Sequence, residues 1–403
     1  MKLRQALTGL LIAAATASTH AHDMAAAAAG SCAHAAVVAA DTPVAEAPDY
    51  LAGDDAADHT QDARAEAVTR HLNYHTDVAA QLGASPDPRD WALATVVTTL
   101  GSGLEDVLLP EGAASTNPSD ELLGRALEAL PNDTLVLWIA IERGDRGNTH
   151  WHKTALARLR EQETDNAAVW IAVVNDAAKR HDEAAVEASL KRMAASRVFD
   201  GHFVDQMKAV ADVYRRFPMP AEMVAESGAG SADSAEAGAT TGALAVTAAI
   251  ALPGFQPLVN ACRVDPASRR NRERASDCAA IGRLLAARAD TLLASRIGPV
   301  LLRVSKTYVD ADVDAARVDD WTYHNFTSLL PTDENDPAAF ERFHAYVADW
   351  IATRSELEAM RRMTLRAGLA ATPPDDWIDR LSPFSEERLR SDRAVEVDLV
   401  GRR

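Results

Sequence analysis

The sequence predicts an all-α protein built of antiparallel helix pairs in a repeat-like array, and three observations lead there. Helix-forming residues dominate, while β-branched runs are short and scattered. Aromatic residues make up only 5% of the chain, low for a compact β-rich enzyme. The string Trp138-Ile139-Ala140-Ile141 returns as Trp170-Ile171-Ala172-Val173, 32 positions on, each time opening a pair of amphipathic helices. At 403 residues the chain has room for one or two large cores or an extended array.

The N-terminus sets the compartment. Lys2 and Arg4 precede an apolar run from Ala6 to Ala17, and Thr19-His20-Ala21 supplies a small-residue exit. That is the layout of a signal peptide over residues 1–21, too short to span a bilayer, so the expectation is an exported bacterial protein in the periplasm, with release outside the cell as the alternative. The net charge is −18, and removing residues 1–21 takes away two more positive charges. Such a surface favours solubility and argues against nucleic acid as partner. No later stretch reads as a membrane span.

Residues 22–60 are Ala-rich, broken by Gly, Pro and Asp, and read as a disordered leader. Ala63, Ala67, Arg70, Tyr74 and Val78 recur near helical spacing, predicting a helix over 61–82 that Gly83 ends. Another runs from Trp91 to Leu100, with Gly101-Ser102-Gly103 as its ending turn. Pro118-Ser119-Asp120-Glu121 starts the next, because Ser119 can cap free N–H groups and acids suit the positive end of the helix dipole. Leu122, Leu123, Ala126, Leu127 and Leu130 form its apolar face. Pro131-Asn132-Asp133 then starts the Trp138 helix, and a partner runs from His150 to Gln162.

In the second copy, Asp165-Asn166 precedes the Trp170 helix, and the partner helix starts at Asp182, with Val186, Leu190 and Met193 on one face. Phe203 to Phe217 looks like the opening of a third unit. A helix pair of this length cannot bury its apolar face alone and needs stacked neighbours. Over residues 118–217 the chain resembles a degenerate tetratricopeptide (TPR-like) repeat array. Trp138 and Trp170 stand at the large position early in the first helix. The sequence departs from the pattern at Glu142 and Val174, where the family has a small residue, and near Val198, where it has the closing Pro. The repeat-like region is taken as 61–224. The resemblance implies binding of a protein or peptide in a groove lined by exposed side chains of each first helix.

Residues 225–243 contain only small and acidic types and read as a flexible linker. A C-terminal helical region over 244–390 follows, with helices at 244–261, 278–295, 298–308, 337–357 and 357–369. Pro373-Pro374-Asp375-Asp376 introduces a last short helix carrying Trp377 and Leu381, and 391–403 form a charged tail.

Cys262 and Cys278 are a natural disulfide in an oxidising compartment, and they lack the C-x-x-C spacing of a redox dithiol. Cys32 is left over; a lipid-attachment signal would want Leu where Ala29 stands, so it reads as free or oxidised. Arg263, Arg269, Arg270, Arg272 and Arg274 form the densest basic cluster. It reads as a solvated loop partly neutralised by Asp265, Glu273 and Asp277, with an anion site as the sharper alternative.

No metal site and no cofactor is expected. His150 and His152 are a surface pair whose rings diverge on a helix, and His22 would need partners the sequence does not place. Trp91, Trp138, Trp170, Trp321, Trp350 and Trp377 read as core. Glu142 reads as a buried cap or ion-pair partner. G-x-S-x-G, Walker and G-x-G-x-x-G motifs are absent from the sequence.

The functional expectation is a scaffold for a protein or peptide partner in the cell envelope, with no catalytic residues. The alternative is a periplasmic enzyme whose site lies near Tyr323, His324 and Asn325, in a loop between helices.

Overall fold

The computed structural model describes residues 54–108, 118–144, 149–226, 234–250, 253–263, 268–330, 337–377 and 382–385. The expected signal peptide, most of the expected leader, Cys32 and the expected charged tail lie outside them.

Among the described residues the protein is all-α, with helices and turns and a single bridge between Asn166 and Val198. The helices are α1 (Asp54–Gly83), α2 (Pro88–Leu108), α3 (Pro118–Ala129), α4 (Thr134–Gly144), α5 (Thr149–Gln162), α6 (Ala167–Lys179), α7 (Glu183–Ala195) and α8 (Phe203–Arg216). They continue as α9 (Ala221–Glu226), α10 (Ser234–Ile250), α11 (Gln256–Cys262), α12 (Arg269–Arg288), α13 (Leu292–Val304), α14 (Asp310–Leu329), α15 (Pro337–Thr353) and α16 (Glu356–Arg366). Short turns make successive helices antiparallel partners: α1 with α2, α4 with α5, α6 with α7, α12 with α13 and α15 with α16. No described helix is long and apolar enough to cross a membrane.

Side chains start the helices where the sequence places short polar residues. Asn166 accepts from the Ala168 N–H at 3.1 Å, Asp182 from Ala185 at 3.0 Å and Ser268 from Asn271 at 3.1 Å. Each satisfies a backbone donor that the first helical turn leaves unpaired.

The chain folds as two compact units: residues up to Ala126 with Val210–Ile250, and Leu127–Ala209 with Ala251–Arg403. This redraws the expected boundaries at 224 and 244. Within the expected linker 225–243, residues 234–243 are helical and open α10. Its small residues permit close packing: Ala239 and Ala243 are buried, and Gly242 lies against the Met219 Cε and the Tyr214 ring, where a Cβ would collide. α1 likewise begins at Asp54, inside the expected leader, and α2 runs through Gly101-Ser102-Gly103 to Leu108. Glycine weakens a helix by only about 1 kcal/mol and need not end it.

In the second unit, α12 and α13 pack at glycine distance. A Cβ on Gly298 would lie 2.5 Å from the Gly282 carbonyl oxygen and 2.7 Å from the Ala286 nitrogen. The expected disulfide is present, joining Cys262 at the end of α11 to Cys278 within α12. A closed loop of this size restricts the unfolded chain by roughly 3 kcal/mol. The C-terminal helices depart from their expected ranges: 269–277 is helical rather than loop, and Asp310–Leu329 forms a helix the sequence reading left out. Residues 373–377 form a turn instead of the start of a helix, held by Arg317 Nη2 donating to the Pro374 carbonyl at 2.8 Å.

Candidate functional site

The expected candidates separate once placed. Tyr323, His324 and Asn325 lie on α14, not in a loop, and successive helical residues point about 100° apart. Asn325 is buried and donates to the Ala370 carbonyl at 3.4 Å, while His324 is exposed and stacks on Trp321 at 5.7 Å. Tyr323 lies beneath the Arg296 guanidinium at 5.2 Å. These three side chains do not converge.

Four of the five arginines of the basic cluster lie on α12, and Arg269, Arg270 and Arg274 are ion-paired. Arg270 bonds Glu187 at 2.6 Å, and Arg274 bonds Glu183 and Glu187, each at 2.9 Å. The cavity between them, about 20 Å³, has room for little more than one water, so it is no pocket for a phosphate. His152 is buried rather than on the surface: its Nδ1 meets the Ile141 carbonyl at 3.0 Å and its Nε2 lies 3.4 Å from Asp176. Trp138, Trp170 and Trp350 are core residues as expected, whereas Trp91, Trp321 and Trp377 are half-buried. The expected groove face of α6 is covered by the chain itself, since α11 packs on it and Asn175 donates to the Gly254 carbonyl at 3.0 Å.

The densest chemistry lies elsewhere in the second unit, where three helix starts meet. At the start of α8 the Gly201 and Phe203 N–H groups donate to Asp290 Oδ2 at 2.9 and 3.3 Å. At the start of α13 the Leu292 N–H donates to Glu356 Oε2 at 2.6 Å. At the start of α16 the Glu356 N–H donates to the Asp290 carbonyl at 3.1 Å, and the Trp350 indole donates to the same oxygen at 2.9 Å. Tyr346 completes the joint by donating to Glu356 Oε1 at 2.9 Å, and Phe203 stacks on Trp350 at 5.0 Å. Carboxylates suit helix starts because the dipole and the free N–H groups both favour negative charge.

A cationic layer adjoins it. His202 places Nε2 3.1 Å from Glu163 and Nδ1 2.9 Å from Asp205, so both ring nitrogens face carboxylates and the imidazolium fits best. Glu163 also accepts from the Trp138 indole at 3.1 Å and from Asn166 at 2.6 Å. Arg354 forks onto Asp205 at 2.8 and 2.7 Å and reaches Asp200 at 2.9 Å. His202 and Arg354 both have left-handed backbones, with φ of 55° and 53°. For a residue with a side chain this costs about 1–2 kcal/mol, which the surrounding bonds offset. Glu142 is neither a cap nor an ion pair: Gln206 donates to its Oε1 at 2.8 Å, and its Oε2 is buried without a hydrogen-bond partner.

Charge and burial set the proton affinities. Burial pushes Glu142 up to about 8, with Asp290 adding to the rise and Gln206 and His202 opposing it. Burial and the Asp200 charge push Asp290 up to about 6, against its backbone hydrogen bonds. Burial and Asp290 push Glu356 up to about 7, against its bonds from Leu292 and Tyr346. Burial alone would lower His202, but its bond to Glu163, the Asp200 and Glu163 charges and its bond to Asp205 raise it to about 9. Arg354 draws Asp205 down to about 2 despite its burial.

Of the titratable groups at this site the sequence points only to Glu142. Asp290-Thr291 before Leu292 and Ser355 before Glu356 are readable cap signals, and Thr291 and Ser355 do cap their helices. His202 has one local partner, Asp205 three residues on, but its second, Glu163, is brought to it from the end of α5, 39 positions earlier.

Comparison with protein-family models, with curated proteins and with solved structures finds no match to this chain.

Proposed function

We propose that the protein is an exported, TPR-like helical scaffold that holds a protein or peptide partner in the cell envelope. The observation that carries this reading is a ladder of bonds between the ends of neighbouring helices. Asn166 Nδ2 donates to the Asp200 carbonyl at 2.8 Å, and the Asp200 N–H returns to Asn166 Oδ1 at 3.1 Å, across 34 residues. Asp165 pairs with Arg197 at 2.7 Å across 32 residues, and Gln162 bonds Asn132 at 3.2 Å across 30. Bonds recurring at nearly one interval support the reading, because repeat arrays are built by stacking neighbouring helix pairs side by side. The signal-peptide layout supplies the export part of the reading.

The first helices are buried, α4 from Val136 to Ile141 and α6 from Ala167 to Ile171, so a partner would meet the second helices. These present exposed Lys153 and Glu161 on α5 and exposed Lys191 and Arg192 on α7. The test is in-cell crosslinking of the tagged full chain, followed by pull-down and mass spectrometry. A reproducible envelope partner, lost when Lys153, Lys191 and Arg192 are all changed to Glu in a still-folded variant, supports the scaffold. A folded, abundant sample that captures nothing specific overturns it.

A further inference from the structure

We propose that the meeting point of the α8, α13 and α16 helix starts is a proton-held clasp, closed while Glu142, Asp290 and Glu356 keep protons and opened within the second unit when they lose them. The clasp goes beyond partner binding and stands whether or not the scaffold reading holds.

Geometry makes the case first. Six carboxylates crowd this region: Glu142 from α4, Glu163 after α5, Asp200 before α8, Asp205 on α8, Asp290 before α13 and Glu356 on α16. The cations facing them are His202 and Arg354, and these bond Glu163, Asp205 and Asp200. That leaves Glu142, Asp290 and Glu356 hydrogen-bonded only by neutral donors: Gln206, backbone N–H groups and Tyr346. Buried carboxylates that no cation bonds are costly when ionised and hold their protons instead, at Glu142 against the opposing charge of His202. Asp290 couples the three, because its charge raises the proton affinity of both of the others.

The direction follows from linkage. A carboxyl group whose proton affinity rises on folding stabilises the fold fully below its unfolded value, and that contribution is lost as pH rises through the folded value. The loss runs through about 6 for Asp290, about 7 for Glu356 and about 8 for Glu142. His202 acts in the same sense and loses its contribution through about 9. Asp205 and Glu163 act oppositely, but only in acid: Asp205 as pH falls through about 2, and Glu163 as pH falls through a value that His202, Asn166 and Trp138 hold below the ordinary one against its burial. Between mildly acidic and mildly alkaline pH every other shifted group named here weakens the joint as pH rises. The bonds at stake hold three helix starts to one another, so opening is local to them. The disulfide between Cys262 and Cys278 does not titrate and lies outside the set.

The test is hydrogen exchange of the full chain at about pH 5 and about pH 8.5, expressed as protection factors so that the intrinsic rate cancels. Protection of the Gly201, Phe203, Leu292 and Glu356 amides should fall about tenfold or more, one pKa unit being a factor of ten. The Ile281 and Leu285 amides within α12 should keep theirs. Glu142→Gln with Glu356→Gln should remove most of the difference; should that pair fail to fold, Asp290→Asn is read in its place. An equal fall in both sets of amides, or a wild-type pH response in the neutralised variant, overturns the clasp.

Discussion

One unit buries a histidine and the other half-buries one, each buries an aspartate at a helix start, and they treat these groups in opposite ways. In the first unit His75 sits among Tyr74 and Tyr214, with ring centroids 5.1 and 5.9 Å away, and burial together with His71 lowers its pKa to about 4. In the second, His202 sits between two carboxylates and is raised to about 9. Asp90, in the first turn of α2, is buried but bonds Arg216 at 2.6 and 2.9 Å, and those bonds outweigh burial and lower its pKa. Asp290 is equally buried, finds only backbone donors, and rises to about 6. Burial alone therefore does not fix the charge of a group; the partner it meets does. The units should respond to pH in opposite senses, the first losing support toward acid and the second toward alkali.

The largest effect should come from Asp290→Ala. It strands the buried donors at the start of α8, and loss of the cap and of those hydrogen bonds should cost about 3 kcal/mol. Urea unfolding in mild acid, where the wild-type group is protonated, measures this without the alkaline penalty.

A matched pair of amide substitutions sharpens the contrast. Asp90→Asn deletes the charge that Arg216 holds and should cost about 1–2 kcal/mol near neutral pH, a figure reduced for the half-exposed guanidinium. Asp290→Asn keeps a carbonyl oxygen for the two backbone donors and sheds a charge no cation meets. It should cost less than about 0.5 kcal/mol, or stabilise, at about pH 8. Equal losses in the two variants would break the comparison.

How much of this was legible in sequence depends on how local the cause is. Caps at Asn166 and Asp182 follow from a short polar residue beside its own helix, and the cysteine pair follows from its spacing and the expected oxidising compartment. The 32-residue recurrence of Trp138 at Trp170 gave the helix pairing. Ser234–Ile250 was misread as part linker because alanine and glycine look featureless until a neighbour packs against them, as Tyr214 and Met219 do at Gly242. The 269–277 segment was misread as loop because its arginines hide the helical face that meets Glu183 and Glu187 on α7. The buried node was invisible for a third reason. Glu142 and Gln206 are 64 residues apart, Gly201 and Asp290 are 89 apart, and Arg354 and Asp205 are 149 apart. No window on the chain contains both halves of those bonds.

The smallest effect tests the acid side of the comparison. His75 is favoured neutral in the fold, so its contribution is complete above its ordinary value of 6.5 and lost as pH falls through about 4. Its Nδ1 lies 3.4 Å from the Tyr214 hydroxyl, a weak bond whose removal would leave a buried phenol unpaired. His75→Phe combined with Tyr214→Phe removes both polar groups and keeps two aromatic rings, so stability at neutral pH should change by about 1 kcal/mol or less. What should change is the slope. In the wild type, exchange protection at the Val78 and Leu82 amides of α1 should decline between about pH 6.5 and about pH 4, while the Leu292 and Glu356 amides hold or gain. In the double variant the decline in α1 should flatten, because no imidazole remains to be charged in an apolar site. A decline that persists unchanged would assign the acid response to the Asp90–Arg216 pair, which also weakens as pH falls and Asp90 takes up a proton.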